Sequence, residues 1–226
     1  MINKKKATPL HHRLSTPRAA GLAGILAGGL FIISHTLILV SLPAESAQGT
    51  ASSQDLTRID IAFQLLPFAG IFFLWFMGVA RDRLGRREDQ FYATVNLGSG
   101  LLYLAMIFTA SALGAGLFSS SVDKAIQGEN NYQLGRLLIS QITNVYGLRM
   151  AAVFMISSAT MWFRTQVMPS WLDILTVLLA LVLLVTIGMS AWLALIFPVW
   201  MVIVSSLILI SNYRGKPQSR PEEAID

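Results

Sequence analysis

The sequence contains no cysteine, and only 13% of its 226 residues are charged. The lack of cysteine excludes disulfide bonds, thiolate metal ligands and thiol catalysis. The charged fraction is about half of the roughly 25% that is usual in a soluble domain. Apolar residues instead account for 54% of the chain. This balance excludes an ordinary soluble protein and favours a chain that is embedded in lipid.

Several side chains that intramembrane chemistry requires are also missing from the apolar runs. Every lysine lies in a tail or a loop, so none is available within the membrane for a retinal-type Schiff base. His35 is the one histidine inside an apolar run, which excludes a bis-histidine haem site. A pair of intramembrane carboxylates, as aspartyl proteases need, is absent as well. We therefore assign no catalytic residue, no metal site and no cofactor. A single axial histidine for a tetrapyrrole stays an open alternative, and the enzyme question is left open, with a non-enzyme favoured.

The chain is organised as six apolar runs separated by short polar segments. A helix needs roughly 20 apolar residues to cross a hydrocarbon core of ~30 Å. The runs that reach or approach this length are 18–41, 60–80, 95–118, 144–163, 171–188 and 191–211. They predict an all-α polytopic protein of six transmembrane helices, with a membrane domain over 18–213, a basic cytoplasmic tail over 1–17 and a second cytoplasmic tail over 214–226. The first run is too long for the core of a cleaved signal peptide, so we expect it to be retained.

Short polar motifs indicate where several helices begin. Ser52 and Asp55 have the spacing of a capping box, so the second helix is expected to begin near residue 53 and to project beyond the membrane. Ser170 and Asp173 have the same spacing, which predicts that Asp173 caps the fifth span. The amphipathic stretch 132–143 is expected to form a helical surface segment that leads into the fourth span.

Proline and glycine residues inside the runs indicate bends and close packing. Pro67 and Pro198 lie within spans two and six and should bend those helices. Gly98 and Gly100 flank Ser99 near one end of the third span. A loop that exposes a serine nucleophile is one interpretation of this motif, but His35 is expected to lie far from it. Close helix packing is therefore the role that we predict for these glycines.

The distribution of positive charge predicts the orientation of the helices, because lysine and arginine near span ends are concentrated on the cytoplasmic side. Of the 17 lysine and arginine residues, thirteen lie in the N-terminal tail, in the loops after spans two and four, and in the C-terminal tail. The four on the opposite side are Arg58, Lys124, Arg136 and Arg149. Both termini are therefore predicted to be cytoplasmic.

Four polar side chains within the spans form the candidate site, since ionisable groups are costly inside a membrane and are functional candidates. At a helical rise of 1.5 Å per residue, His35, Gln64 and Arg149 each lie about 22–25 Å from the cytoplasmic end of their spans. Asp60 lies one turn above Gln64. We predict that Arg149 pairs with Asp60, directly or through Gln64, and that His35 lies close by. The resulting polar cluster is either structural or a binding site for a solute or an ion.

The direction of His35 follows from its own helix. Gly21, Gly24 and Gly28 precede it at intervals that place all four residues on one narrow stripe. Small residues on such a stripe, here called the glycine stripe, allow a second helix to approach closely. This face is therefore expected to be buried against protein, with His35 pointing into the bundle.

The loop after the second span carries the densest group of charges. Its basic residues, here called the arginine cluster, are Arg81, Arg83, Arg86 and Arg87. One interpretation is topogenic: the cluster holds this loop in the cytoplasm and contacts the phosphates of anionic lipids at that face. The other is a docking surface for a membrane protein partner, since acidic residues are interspersed. Lipid, and not nucleic acid, accounts for the net charge of +5, because the basic residues flank the spans.

Two parts of the chain carry a resemblance to known sequences. The first comprises 66–70, 75–85, 87–91 and 97–100, and the second is 144–152. They resemble a group of uncharacterised bacterial integral membrane proteins with six helices, and the similarity covers most of spans one to four and the start of span five. That group has no assigned activity. The resemblance therefore implies a topology and a bacterial inner membrane, and it implies no catalytic residues.

Three functional hypotheses remain open at this point, the third being an intramembrane enzyme in which Asp60 would act near His35. The first is a non-enzymatic accessory subunit or scaffold of the bacterial cytoplasmic membrane, in which the polar cluster fixes helix packing. The second is a transporter or channel for a small solute or ion, in which Arg149 attracts an anion and His35 titrates near physiological pH. Spans five and six are almost wholly apolar, so a path for a solute would have to run between spans one to four.

Overall fold

The described part of the chain is almost entirely helical. The computed structural model describes residues 16–41, 53–84, 90–118, 129–166, 168–186 and 190–214. The elements are α1 (Thr16–Ser41), α2 (Ser53–Leu84), α3 (Gln90–Phe118), α4 (Glu129–Ser140), the π-helical segment Gln141–Gly147, α5 (Leu148–Thr165), α6 (Ser170–Val185), the 3₁₀ turn Ala191–Leu195 and α7 (Ile196–Arg214). The all-α prediction is confirmed for these residues.

Most of the helices are long and apolar enough to cross a membrane. The helical stretches that meet both conditions are Ala19–Ser41, Gln54–Val79, Phe91–Leu117, Gln133–Thr165 and Ala191–Ile210. α6 is apolar as well, but its 16 residues are fewer than the roughly 20 that a perpendicular span needs. The protein is therefore a multi-pass membrane protein in which the fifth predicted span is the shortest.

The fourth predicted span is part of a longer helical rod. α4, the π-helical segment and α5 follow one another without a break from Glu129 to Thr165. The amphipathic helix predicted over 132–143 is thus confirmed as helix, and it continues directly into the span. π-helical segments are rare and usually limited to a single turn.

The predictions about helix starts have different outcomes. α2 begins at Ser53, as expected, although Ser52 itself lies outside the described residues. α6 begins at Ser170, and its N-cap is Pro169, which forms no side-chain capping bond. The predicted capping box of Ser170 and Asp173 is therefore not formed, because the helix begins one residue too early for it.

The two prolines occupy different positions in their helices. Pro67 lies inside α2, and the carbonyl oxygen of Phe63, one turn earlier, accepts a hydrogen bond from the hydroxyl of Ser111 on α3. Pro198 is the third residue of α7 and directly follows the 3₁₀ turn. Its missing N–H falls in the first turn of α7, where backbone N–H groups have no partner within the helix in any case.

The helices pack as neighbours around a shared core. α1 packs against α2 and, on another face, against α7. α2 packs against α3, α3 against α5 and the π-helical segment, and α5 against α6. The end of the bundle at which α1 begins and α7 ends is called proximal, and the end at which α1 ends and α2 begins is called distal.

Aromatic rings from five helices meet in the centre of the bundle. They belong to Phe31 on α1, Phe73 on α2, Tyr103 on α3, Phe154 on α5 and Phe197 on α7, and each residue is at most 2% exposed. Phe73 contacts the other four rings edge to face at centroid distances of 5.3–6.4 Å. Edge-to-face pairs of this kind stabilise a core beyond the area that they bury. These five residues are called the aromatic layer, and each provides the reference point for counting along its own helix.

Candidate functional site

His35 lies on the distal side of the aromatic layer, four residues or about 6 Å beyond Phe31 on α1. Its Nδ1 lies 2.8 Å from the carbonyl oxygen of Phe31, and its ring packs edge to face on the Phe31 ring at 6.1 Å. Because a carbonyl oxygen can only accept, Nδ1 carries the proton of the neutral ring and donates it. Nε2 is then left as an acceptor that faces away from the helix backbone.

The direction predicted for His35 is confirmed. The glycine stripe faces α7: a methyl group on Gly24 would collide with Ser205, and one on Gly28 would lie 2.9 Å from the carbonyl oxygen of Pro198. His35 itself is 8% exposed. The close approach of α1 and α7 thus depends on residues without a Cβ on this face.

Asp60 and Gln64 form a pair at the distal rim. Gln64 Nε2 donates a hydrogen bond of 3.1 Å to Asp60 Oδ2, one helical turn away on α2. Gln64 is exposed and Asp60 is partly buried. Counted along α2 from Phe73, Gln64 lies about 14 Å and Asp60 about 20 Å on the distal side of the aromatic layer. The pair is therefore well beyond the height of His35.

Arg149 is not bonded to Asp60. It is partly buried on α5 and, within the described ranges, forms no hydrogen bond or ion pair. Counted from Phe154, it lies about 7–8 Å on the distal side of the aromatic layer, and Asp60 lies about 12 Å further out. The predicted direct contact is wrong because the helices are offset along the bundle axis. His35 and Arg149 both lie on the distal side of the aromatic layer, and no hydrogen bond joins them.

Part of the arginine cluster can be placed on a helix. Arg81 and Arg83 belong to the last turn of α2. Their side chains, and Arg86 and Arg87 altogether, lie outside the described residues. The two interpretations of this loop, lipid contact and docking surface, therefore both remain predictions.

A polar contact between α3 and α5 was not predicted from the sequence. Asn96 Nδ2 donates to Ser157 Oγ at 3.0 Å, to Ser158 Oγ at 2.8 Å and to the carbonyl oxygen of Phe154 at 3.2 Å. These residues lie at or on the proximal side of the aromatic layer, and both serines are buried. The sequence signal for this contact was an asparagine and two serines within apolar runs. That these residues bond to one another follows only from the packing of α3 against α5.

The glycines around Ser99 serve mainly for packing. The Ser99 hydroxyl donates to carbonyl oxygens of its own helix, those of Val95 at 2.7 Å and Asn96 at 3.0 Å. A methyl group on Gly100 would lie 3.1 Å from the Phe154 ring, whereas Gly98 has no neighbour within 4 Å. Close packing is thus confirmed for Gly100, and the hydroxyl of Ser99 is not presented as a nucleophile.

A second residue that the sequence interpretation misjudged is Asp173. It was expected to cap α6, but it lies on the inward face of that helix and is 3% exposed. Its Oδ1 is enclosed and has no hydrogen-bond partner among the described residues. The same holds for Ser34 Oγ, beside His35. In the sequence, the signal for the burial of Asp173 was the position of an acidic residue near the start of an apolar run.

The chemistry that these groups can perform is limited. Over the described residues, no three histidine, cysteine or acidic side chains are grouped so that they could hold a metal ion. His35 is directed by its bond to Phe31, and the structure places no carboxylate or hydroxyl in hydrogen-bond contact with it. The polar groups instead fall into separate sets: His35 and Arg149 on the distal side of the aromatic layer, the Asp60–Gln64 pair at the distal rim, and Asn96 and Asp173 on the proximal side.

Comparison with known proteins adds no relative. No protein family, curated protein or solved structure matches the chain. The function is therefore argued from the geometry, and the resemblance to bacterial six-helix membrane proteins stays a prediction.

Proposed function

We propose that the protein is a non-enzymatic accessory subunit or scaffold of a bacterial cytoplasmic membrane. The observation that carries this proposal is the aromatic layer. Rings from five helices fill the centre of the bundle, and the Tyr103 and Phe197 centroids are only 4.8 Å apart. A water-filled path through the middle of these helices would have to displace this packing. Because the centre of the bundle is filled, we infer that the protein acts through its outer surface, which contacts lipid and partner proteins.

The proposal includes an orientation. Both termini, and with them the proximal end, face the cytoplasm, because thirteen of the 17 lysine and arginine residues lie on that side. Arg164, in the last turn of α5, lies 4.6 Å over the ring of Tyr92 at this end. An arginine held on an aromatic ring at the membrane surface suits contact with the phosphates of anionic lipids. Lipid, and not nucleic acid, is the proposed partner of the basic surface.

The absence of cysteine allows a direct test of orientation. Two single-cysteine variants are made: Ile126→Cys, between α3 and α4, and Gln218→Cys, in the C-terminal tail. Intact spheroplasts that carry either variant are treated with a membrane-impermeant maleimide. We expect labelling of the first variant from outside and labelling of the second only after lysis. The reverse pattern would invert the topology and refute the cytoplasmic termini.

The subunit role is tested by purification in a mild detergent followed by native mass spectrometry. We expect the chain in a complex of fixed stoichiometry with another membrane protein. The cysteine variants at positions 126 and 218 serve as matched controls, because neither change affects the helices and both should retain the complex. A homogeneous monomer without a companion contradicts the subunit proposal.

A transporter for a small anion is the second candidate. It is favoured by Arg149, which is partly buried on α5 and has no ion pair within the described ranges. In proteoliposomes, the scaffold proposal expects no anion flux above that of empty vesicles. Flux that is lost in Arg149→Gln, but retained in Arg58→Gln at the exposed Arg58–Asp55 pair, would establish the transporter instead.

A further inference from the structure

Asp173 is a nearly buried carboxyl group near the start of α6: the residue is 3% exposed, and its Oδ1 is enclosed without a hydrogen-bond partner among the described residues. It is the fourth residue of α6 and shares the inward face of that helix with Thr176 and Ala180. Thr176 accepts a hydrogen bond of 2.9 Å from the indole Nε1 of Trp200 on α7. Trp200 lies three residues beyond Phe197 on α7, and Asp173 lies three residues before Thr176 on α6. Asp173 is therefore roughly 9 Å on the proximal side of the aromatic layer. The group is therefore inside the protein and close to the packed junction of α5, α6 and α7.

The start of α6 explains why Asp173 has no backbone partner. An acidic residue near a helix start normally accepts a hydrogen bond from a free backbone N–H, often that of the N-cap residue. Here the N-cap is Pro169, which has no N–H, and Asp173 lies one residue beyond the position from which such a bond is made. The N–H of Leu172 is already bonded to the carbonyl oxygen of Pro169 at 2.9 Å.

No cation of the described residues neutralises Asp173. On α5, which packs against α6, the titratable side chains are Arg149 and Arg164. Arg164 lies over the ring of Tyr92, and Arg149 lies on the distal side of the aromatic layer; neither forms an ion pair with Asp173. On α7, residues 196–210 include no titratable side chain. Thr176, which shares the inward face of α6 with Asp173, already accepts a hydrogen bond from Trp200.

An ionised carboxylate in such a place is strongly disfavoured. Burial of a charge without a partner costs far more than burial of a neutral polar group, and a group that is free to titrate takes up a proton instead. We propose that Asp173 is a proton-binding site: it holds a proton at neutral pH and stands in the α5–α6–α7 junction as a neutral carboxylic acid. Loss of that proton would place a negative charge in the junction. This inference holds for a scaffold and for a transporter alike.

Infrared difference spectroscopy of the purified full-length protein tests the site. The spectrum of the wild type minus that of Asp173→Asn at neutral pH should contain the carbonyl band of a protonated carboxylic acid. The matched control is Asp60→Asn at the distal rim, whose spectrum should retain the acid band assigned to Asp173. Carboxylate bands in the Asp173→Asn difference spectrum would show that Asp173 is ionised in the wild type. That result would overturn the proposal, whichever cation neutralised the charge.

A second measurement does not depend on the folding of the variant at every pH. In the wild type labelled with ¹³C-aspartate, the acid band should persist at neutral pH and disappear as the pH is raised. The melting temperature of the wild type should fall as the pH rises from the ordinary range of an aspartate towards the pH at which the acid band disappears, and level off beyond it, because over that interval the unfolded chain releases a proton that the folded state keeps. Where Asp173→Asn folds, its melting temperature should stay constant there. An aspartate acid band that is missing at neutral pH refutes the site.

Discussion

The hydroxyl of Ser111 on α3 donates a hydrogen bond of 2.7 Å to the carbonyl oxygen of Phe63 on α2. Phe63 is four residues before Pro67, so this carbonyl is the one that the proline deprives of its N–H donor within the helix. In a membrane no water replaces that donor, and a serine of a neighbouring helix can supply it. The proline therefore favours the contact between α2 and α3, because it frees an acceptor that the Ser111 hydroxyl of α3 satisfies.

The first prediction concerns Ser111. Ser111→Ala should lower the free energy of unfolding by about 1–2 kcal/mol, since it leaves a buried carbonyl without a donor. In a Pro67→Ala background the restored N–H can bond the same carbonyl, so the second change should cost much less. Denaturant titration in mild detergent measures both values. Thr109→Ala is the control, because its hydroxyl bonds within its own helix at an exposed site. Strictly additive effects at positions 67 and 111 would contradict this account.

The second prediction concerns the bond between α3 and α5. Asn96→Ala should lower the free energy of unfolding by about 1 kcal/mol, within the range found for hydrogen bonds between membrane helices. The reason is that the Asn96 amide is shared among two serine hydroxyls and a carbonyl of α5. Asn144→Ala removes an amide that bonds Ser140 within the same rod and should cost less. Equal losses for the two variants would show that Asn96 contributes no interhelical stability.

The third prediction concerns the aromatic layer. Phe73→Ala should lower the free energy of unfolding by about 3–5 kcal/mol, because a cavity would open among four contacting rings. Phe68→Ala on the same helix is the control. Phe68 is 58% exposed, and substitutions at such sites usually change stability by less than about 0.5 kcal/mol. Similar losses at the two positions would mean that the layer is not the core of the fold.

The fourth prediction revises the expectation for Arg149 and Asp60. Since about 12 Å of height separates these residues, the effects of Arg149→Ala and Asp60→Ala on unfolding should add within about 0.5 kcal/mol. Asp60 and Gln64 are bonded to each other, so their alanine variants should deviate from additivity. A double-mutant cycle for each pair provides the comparison. Strong coupling between Arg149 and Asp60 would restore the original pairing.

The fifth prediction concerns insertion. Reversal of the arginine cluster to glutamate should reduce maleimide labelling of Ile126→Cys from outside, because positive charge near span ends determines orientation. The matched control is reversal of Lys124 and Arg136 on the opposite side, which should leave the labelling unchanged. Unaltered external labelling after reversal of the cluster would show that other loops determine the topology.

Much of the architecture follows from the sequence because it depends on local properties. The thickness of a bilayer dictates how long an apolar run must be, so helix positions could be read from run lengths, and the start of α2 near residue 53 was predicted correctly. The direction of His35 was predictable for a similar reason. His35 and the glycine stripe lie on one helix, whose geometry alone places them on one face.

Tertiary structure decided what depends on two helices at once. The separation of Arg149 from Asp60 reflects how α5 and α2 are offset, which no count along a single helix reveals. Asn96 became a contact only when α3 lay beside Ser157 and Ser158. Asp173 matched a capping motif, yet the helix began at Ser170 and left the carboxylate buried on the inward face of α6. The length of an apolar run determines that a segment crosses the membrane, whereas the complementarity of side chains on different helices determines which polar groups meet inside it.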